Sequence, residues 1–591
     1  MVYPNGRTID YNYSGTNLNA ALDNAIGRLD SISDGANSGD SGQVLEQYSY
    51  LGLSTIVQRN HPQTGINLTY LGSAGSIGSG GDQYVGLDQF GRVVNQNWVN
   101  TSTGQSTDNF TYSYDANSNV TSENNLLNTA YSQTFTYDPL NRLASNTLGG
   151  AANQSWTLDS QGNWSSYTSN GATQTQTANA QNQITSISGS ATPTYDNNGN
   201  MATDQNGNTY TYNAWNQLVA VKNSSGQIIA QYAYNAMGYR ITETYPQGGN
   251  GVAAGTVNYI YYDSQWQAIE TRTNGTANSD VTSQMVWSAA YINAAVLQDT
   301  YSAGVIQPSS RLYFLQDANW NTTAIVGLVS GSWQVTQRYV YSPYGTITVL
   351  NADWSATPSG TQPIVDNLYQ GMTLDPVTGL YYARNRNYSP SLGRWINQDP
   401  AGYVNGANTY QFVMSNPVGN VDPWGLLTQK QLAGIVYHET SSLLPWLANP
   451  NGPASPSNWN AESAQRLAQA RADIAAIADA RNGKGTATPS YPTATQLHND
   501  PAVRINWDAA LQAAKTARGW EKNKWGGRKY NGPYMNYFMA PLNKAGHGPA
   551  PLPGMSKWPY QYAPAMTFGP FRNSLHPGVP YYIFFYDNVP Q

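Results

Sequence analysis

One seven-residue pattern recurs along the first part of this chain and restricts its fold more than any other feature. It reads roughly aromatic or Leu, Asp or Asn, two variable positions, Gly or Asn, Arg or Asn, then an apolar residue. Clear copies are Tyr137-Asp138-Pro139-Leu140-Asn141-Arg142-Leu143 and Tyr195-Asp196-Asn197-Asn198-Gly199-Asn200-Met201, with others at 87–93, 114–120, 158–164, 212–218 and 234–240. Most are spaced by about 17–27 residues, the range of stacked repeat units. The Asp or Asn side chain caps its own turn, and the later Gly or Asn accepts φ > 0. Alternating runs such as Tyr210-Thr211-Tyr212 and Gln231-Tyr232-Ala233-Tyr234 flank the turns, so each unit is a β-hairpin. A lone hairpin is marginal in water, so the units must stack to bury their aromatic faces. The turn chemistry alone suits a propeller or a sandwich equally well. The repeated Tyr-Asp favours a stacked array.

Composition agrees with sheet. The chain holds 44 Tyr and 55 Gly among 591 residues, and only 10% are charged. Its mean hydropathy of -0.50 therefore rests on Asn, Gln, Ser, Thr and Tyr. An aromatic content of 12% argues against simple disorder. The length exceeds what one core usually fills, so at least two folding units are expected. The absence of Cys excludes a disulfide framework, a thiolate zinc site, an iron–sulfur cluster and a Cys nucleophile. No apolar run reaches the ~18–20 residues of a membrane span. The opening Met1-Val2-Tyr3-Pro4-Asn5-Gly6-Arg7 has no apolar signal core, so export is expected by another route or through a segment upstream.

Charge divides the chain. Residues 427–591 carry 15 Lys and Arg against 8 Asp and Glu, a net +7, whereas residues 1–426 carry 13 against 26. Four of the five histidines, His438, His498, His547 and His576, also fall in the basic part. Two modules with different surfaces follow, the second suited to an anionic partner.

The Tyr-Asp units resemble the YD repeats of the rearrangement-hotspot (Rhs) and teneurin-like YD-shell family over roughly residues 1–426. The resemblance implies a mostly β fold, with hairpins in one long sheet that spirals into a hollow cocoon holding the chain's own C-terminal cargo. It divides the chain into a β-shell (1–337), a closing core (338–426) and a smaller α-rich, α+β effector (427–591). The opening segment already lies inside a repeat, so further shell is expected upstream. The core landmarks occur in order: Arg338-Tyr339-Val340-Tyr341-Ser342-Pro343-Tyr344-Gly345, Tyr381-Tyr382-Ala383-Arg384-Asn385-Arg386, Gly393-Arg394-Trp395-Ile396-Asn397-Gln398-Asp399-Pro400 and Asp422-Pro423-Trp424-Gly425-Leu426.

In that family the core is a self-cleaving aspartyl protease. By position the resemblance makes Asp399 and Asp422 the acid pair and Arg386 the supporting cation, with the scissile bond between Leu426 and Leu427. The chemistry fits, because two close carboxyls share protons and a guanidinium can hold developing negative charge. Either Asp-Pro alone would read as a turn; the ordered set of motifs favours catalysis. Arg394 is an alternative cation. No cofactor or metal is expected.

After Leu426 the pattern turns helical, at 432–439, 464–480 and 509–517, with a closing strand at Tyr581-Tyr582-Ile583-Phe584-Phe585-Tyr586. In the Rhs family such tails are toxins, which implies an immunity protein as partner and delivery to the outside or the cell surface. His438-Glu439-Thr440-Ser441-Ser442 lacks the second His of a zinc-protease helix, no phosphate-binding Gly-Lys loop is present, and a Cys-ligated zinc deaminase is impossible. Glu439 ends an apolar helix and can act as a glycosidase acid. The tail is similar to lysozyme-like cell-wall hydrolases of the spore-cortex-lytic type. That likeness implies peptidoglycan as substrate and Asn482, Asn536, Phe538 and Asn573 as binding residues, with no second carboxylate evident. The rival is a nuclease, with Lys522, Lys524, Arg528 and Lys529 around Trp520 and Trp525, and His498, Asp500, His547 or His576 for proton transfer. A third reading is a non-enzymatic adhesive surface protein.

Overall fold

A computed structural model describes residues 1–13, 27–36, 41–51, 55–72, 76–79 and 81–426, together with five strands of the tail. The chain divides into two compact units, Met1–Lys430 and Gln431–Gln591. The first is nearly all antiparallel sheet, and among its described residues helix is confined to short 3₁₀ turns such as Thr129–Tyr131. A 14-stranded sheet runs from Ile9–Asn12 to Ile184–Ile187, and a 15-stranded sheet from Thr194–Tyr195 to Ile347–Asn351. Strands pair with their sequence neighbours almost throughout, as consecutive hairpins must.

The turns explain the repeat letter by letter. Asp138 Oδ1 accepts the N–H of Leu140 at 2.9 Å and of Arg142 at 3.0 Å, while Arg142 Nε donates to Oδ2 at 2.7 Å. Asp115 is met in the same way by Asn117, by the backbone of Asn119 and by the Asn119 side chain. Three residues after the acid the backbone is left-handed, with φ 61 at Asn141 and 82 at Gly162. Two units the pattern does not display occupy the same geometry with Trp in that slot, Trp266 (φ 61) after Asp263 and Trp320 (φ 63) after Asp317. The strain of a bulky residue there is offset by ring stacking, Trp266 on Tyr239 at 4.2 Å and Trp320 on Tyr291 at 4.7 Å.

The repeat Tyr joins one unit to the last. Tyr114, Tyr137, Tyr234 and Tyr262 donate their hydroxyls to the carbonyls of Val93, Val120, Leu218 and Arg240, each the residue that closes the preceding unit. Phe would pack as well but leave that carbonyl without its donor.

The two large sheets also meet through charge. Arg7 Nη2 lies 2.6 Å from Asp34 Oδ1 and 2.7 Å from Asp299 Oδ2, and Arg311 lies 2.8 Å from Asp34 and 2.6 Å from Asp299. All four side chains are fully buried and form a closed ring of alternating charge.

The boundary expected at residue 338 is not a break: it falls inside strand Ser332–Tyr341, which pairs on both sides within the 15-stranded sheet. The landmark motif begins in mid-strand, so shell and closing segment share one unit. Beyond Asn351 the chain forms a four-stranded sheet, Thr373–Leu374, Tyr381–Ala383, Arg386–Ser389 and Arg394–Trp395. It then runs along the repeat turns. Asn408 Nδ2 donates to Asn163 Oδ1 at 3.0 Å, Tyr410 Oη to Gly199 O at 2.6 Å and Asn416 Nδ2 to Asn119 Oδ1 at 2.9 Å. The residues at and beside the left-handed slots thus anchor the segment that carries the candidate site.

In the second unit the described residues form antiparallel strands, Trp520–Lys522, Arg528–Tyr530, Tyr537–Met539, Gly569–Pro570 and Tyr582–Phe585. The last matches the expected closing strand. The three expected helices lie outside the described residues.

Candidate functional site

The site is built on a hairpin with a two-residue turn. Ala383 pairs with Arg386, leaving Arg384 (φ 54) and Asn385 as the turn. The strand after it carries Arg386 inward, where it is 1% exposed. Arg386 Nη2 lies 3.1 Å from Asp399 Oδ2 and 3.2 Å from Asp422 Oδ2, so one nitrogen joins both carboxylates. Its Nη1 donates to Thr409 O at 3.1 Å, a carbonyl that also accepts the Asp399 N–H at 3.0 Å. Its Nε donates to Gly425 O at 2.5 Å, and the Trp395 ring covers the guanidinium at 4.2 Å.

The acids are fixed by their own turns. Asp399 Oδ1 accepts the Ala401 N–H at 2.8 Å. Asp422 Oδ1 accepts the Leu426 N–H at 3.1 Å, which folds 422–426 back on itself. Gly425 makes that fold feasible: its φ is +65, and a Cβ there would stand 2.6 Å from Ala383 O.

Burial pushes the Asp422 carboxyl up to about 6; Arg386 and the Leu426 N–H oppose this, and the Asp399 charge adds to it. Burial lowers Arg386 from its usual value, and the two carboxylates pull it back. An acid pair joined by one cation shares its protons as a unit. One member can hold a proton while the other is ionised, beside a folded peptide that leads to Leu426. Arg386 already supplies the countercharge, and among the described residues no group of three His, Cys, Asp or Glu is placed to hold a metal ion.

Arg394 is elsewhere: its Nη2 donates to Asn182 O at 2.5 Å and its guanidinium lies over Tyr410. Arg384 and Asn385, given no role by sequence reasoning, touch the 422–426 segment directly. Arg384 Nη1 donates to Pro423 O at 2.6 Å and Asn385 Nδ2 to Trp424 O at 3.0 Å. Their signal was adjacency to Arg386 in one run.

Leu427, Glu439, Asn482, Asn536 and Asn573 lie outside the described residues, as do His498, Asp500, His547, His576, Lys524 and Trp525. Phe538 lies in strand Tyr537–Met539, in register with Phe584. In the neighbouring hairpin Trp520 pairs with Tyr530 and Lys522 with Arg528.

Known proteins share this architecture. Residues 103–418, more than half the chain, match the teneurin YD-shell family model. Double-stranded DNA deaminase toxin A of Burkholderia cenocepacia is 30% identical over 252 residues, covering 39% of this chain and 16% of that protein. The tRNA nuclease WapA of Bacillus subtilis is 28% identical over 301 residues, 49% of this chain and 12% of the relative. The Photorhabdus luminescens Tc holotoxin pore superimposes with a TM-score of 0.55 at 20% identity, over 72% of this chain and 20% of that one. The chain thus spans a small share of each relative's length.

Proposed function

The chain belongs to the teneurin YD-shell family, and on that premise we propose that it is a toxin carrier that cuts itself after Leu426 and frees residues 427–591 as an effector. The observation that supports this reading most is the Arg386–Asp399–Asp422 cluster with the peptide to Leu426 folded against it. The ionised acid takes a proton from water, whose oxygen adds to the Leu426 carbonyl carbon. The protonated acid supplies the proton for the departing Leu427 nitrogen, the C–N bond breaks, and a carboxyl and an amine result. Arg386 offsets the negative charge that develops. Asp422 lies on the segment being cut, so the reaction is a single turnover in cis.

The pH dependence follows from Asp422. Its carboxyl is raised to about 6, so it keeps its proton below that pH and loses it above. The cleavage rate is expected to be highest on the acid side and to fall about tenfold per pH unit above ~6. Intact-mass analysis of the purified chain over time, across pH, measures this. A wild-type chain that stays whole at every pH would overturn the proposal.

For the effector, a nucleic-acid substrate is proposed ahead of a wall glycosidase centred on Glu439. The tail carries net +7, one hairpin sets Lys522 opposite Arg528 and Trp520 opposite Tyr530, and both relatives are named for nucleic-acid substrates. A Cys-ligated zinc deaminase is excluded by composition, so of the two chemistries these relatives are named for, a nuclease is favoured. The released fragment is expected to cut tRNA or plasmid DNA. Lysis of purified peptidoglycan that is lost in Glu439→Gln would reverse the choice. Such a toxin requires an immunity protein in its producer and an export route; no helix among the described residues is long and apolar enough to cross a membrane.

A further inference from the structure

Three consecutive residues, the two of a tight turn and the first of the strand after it, hold three consecutive carbonyls of another segment. Arg384 Nη1 donates to Pro423 O at 2.6 Å, Asn385 Nδ2 to Trp424 O at 3.0 Å and Arg386 Nε to Gly425 O at 2.5 Å. The Asn385 backbone N–H also reaches Trp424 O at 3.3 Å. A run of three matched contacts fixes register, because a slip by one residue breaks all of them together. Only the third donor belongs to the acid cluster.

Arg384 is itself anchored away from the segment: its Nε donates to Trp266 O at 3.1 Å and Nη1 also reaches Asn293 Oδ1 at 2.8 Å. On the segment side its guanidinium lies 5.0 Å from the Trp424 ring centre. Trp266 and Asn293 belong to the 15-stranded sheet and its loops, so the clamp is tied to the folded shell. A donor held from behind loses little freedom when it binds, which makes it a good positioning group.

We propose that Arg384 and Asn385 are positioning residues that set which peptide bond is cut, by holding Pro423 and Trp424 in register with the acid pair. This rests on the self-cleavage reading above. Proton transfer stays with Asp399 and Asp422, so removing the clamp should change rate and cutting position but leave the pH midpoint near 6.

The test compares full-length wild type, Asp422→Asn, Arg384→Ala and Asn385→Ala by intact mass of the fragments over time and pH, with folding checked by circular dichroism and thermal melting. Arg384→Ala is expected to cut about 10²-fold more slowly, and both clamp variants to yield fragment ends beyond the single Leu426–Leu427 cut, at an unchanged pH midpoint. If Arg384→Ala does not fold, Asn385→Ala decides, since it removes one half-buried amide contact and leaves Arg384 in place. Folded clamp variants that cut at the wild-type rate and only after Leu426, beside an inert Asp422→Asn, would overturn this inference alone. A wild-type chain that never cuts would remove the self-cleavage reading, and this inference with it.

Discussion

Asp422→Asn is expected to leave the chain whole where the wild type yields a 427–591 fragment, with the cleavage rate lowered by about 10²–10⁴-fold. The amide keeps the size of the carboxyl and can still accept the Leu426 N–H, now seen at 3.1 Å, so the 422–426 turn should persist. It cannot hold or exchange the proton that burial retains on Asp422 up to about pH 6. The amide also removes one of the two negative charges facing Arg386, so the variant should fold at least as readily as the wild type. Time-resolved intact mass and a melting curve separate these effects. A fragment released at the wild-type rate by folded Asp422→Asn would show that Asp422 only caps its turn.

The second large effect concerns stability. Asp299→Ala is expected to destabilise the first unit by about 3–5 kcal/mol, the range for removing one member of a buried charge pair. Asp299 lies 2.7 Å from Arg7 and 2.6 Å from Arg311, and all three side chains are fully buried. Its loss leaves two guanidinium groups facing the single Asp34 carboxylate in a site closed to bulk solvent. The contrast is Asp88→Asn, which breaks the Asp88–Arg92 pair on a repeat turn, where the side chains are 12% and 25% exposed, and keeps the side-chain oxygen that accepts the Phe90 and Arg92 N–H groups. Solvent screening limits that pair to about 0–1 kcal/mol. Urea midpoints of the two variants measure the difference, and equal midpoints would show that the buried ring contributes no more than a surface pair.

Much of the candidate site was legible in sequence because its motifs are short and ordered. Arg386, Asp399 and Asp422 can be picked out from their neighbours, and the structure places them on one nitrogen although Arg386 and Asp422 are 36 residues apart. The clamp was not legible. Arg384 and Asn385 act only through a tight turn that lies against the 422–426 segment, and no local pattern encodes that approach. Sequence also does not give the directions of the two arginines: Arg386 faces both carboxylates, whereas Arg394 turns to Asn182 O.

The sequence by itself determined the hairpins. An Asp or Asn that bonds the N–H groups two and four residues on, followed by a residue able to take φ > 0, specifies its turn without help from the rest of the chain. Only the tertiary structure decided how the hairpins join. Four repeat tyrosines, Tyr114, Tyr137, Tyr234 and Tyr262, find a carbonyl in the preceding unit, Trp266 and Trp320 take the left-handed slot because rings elsewhere stack on them, and Arg311 meets Asp34 across 277 residues. These contacts depend on distance in space, which a periodic pattern fixes within one unit but not between distant ones.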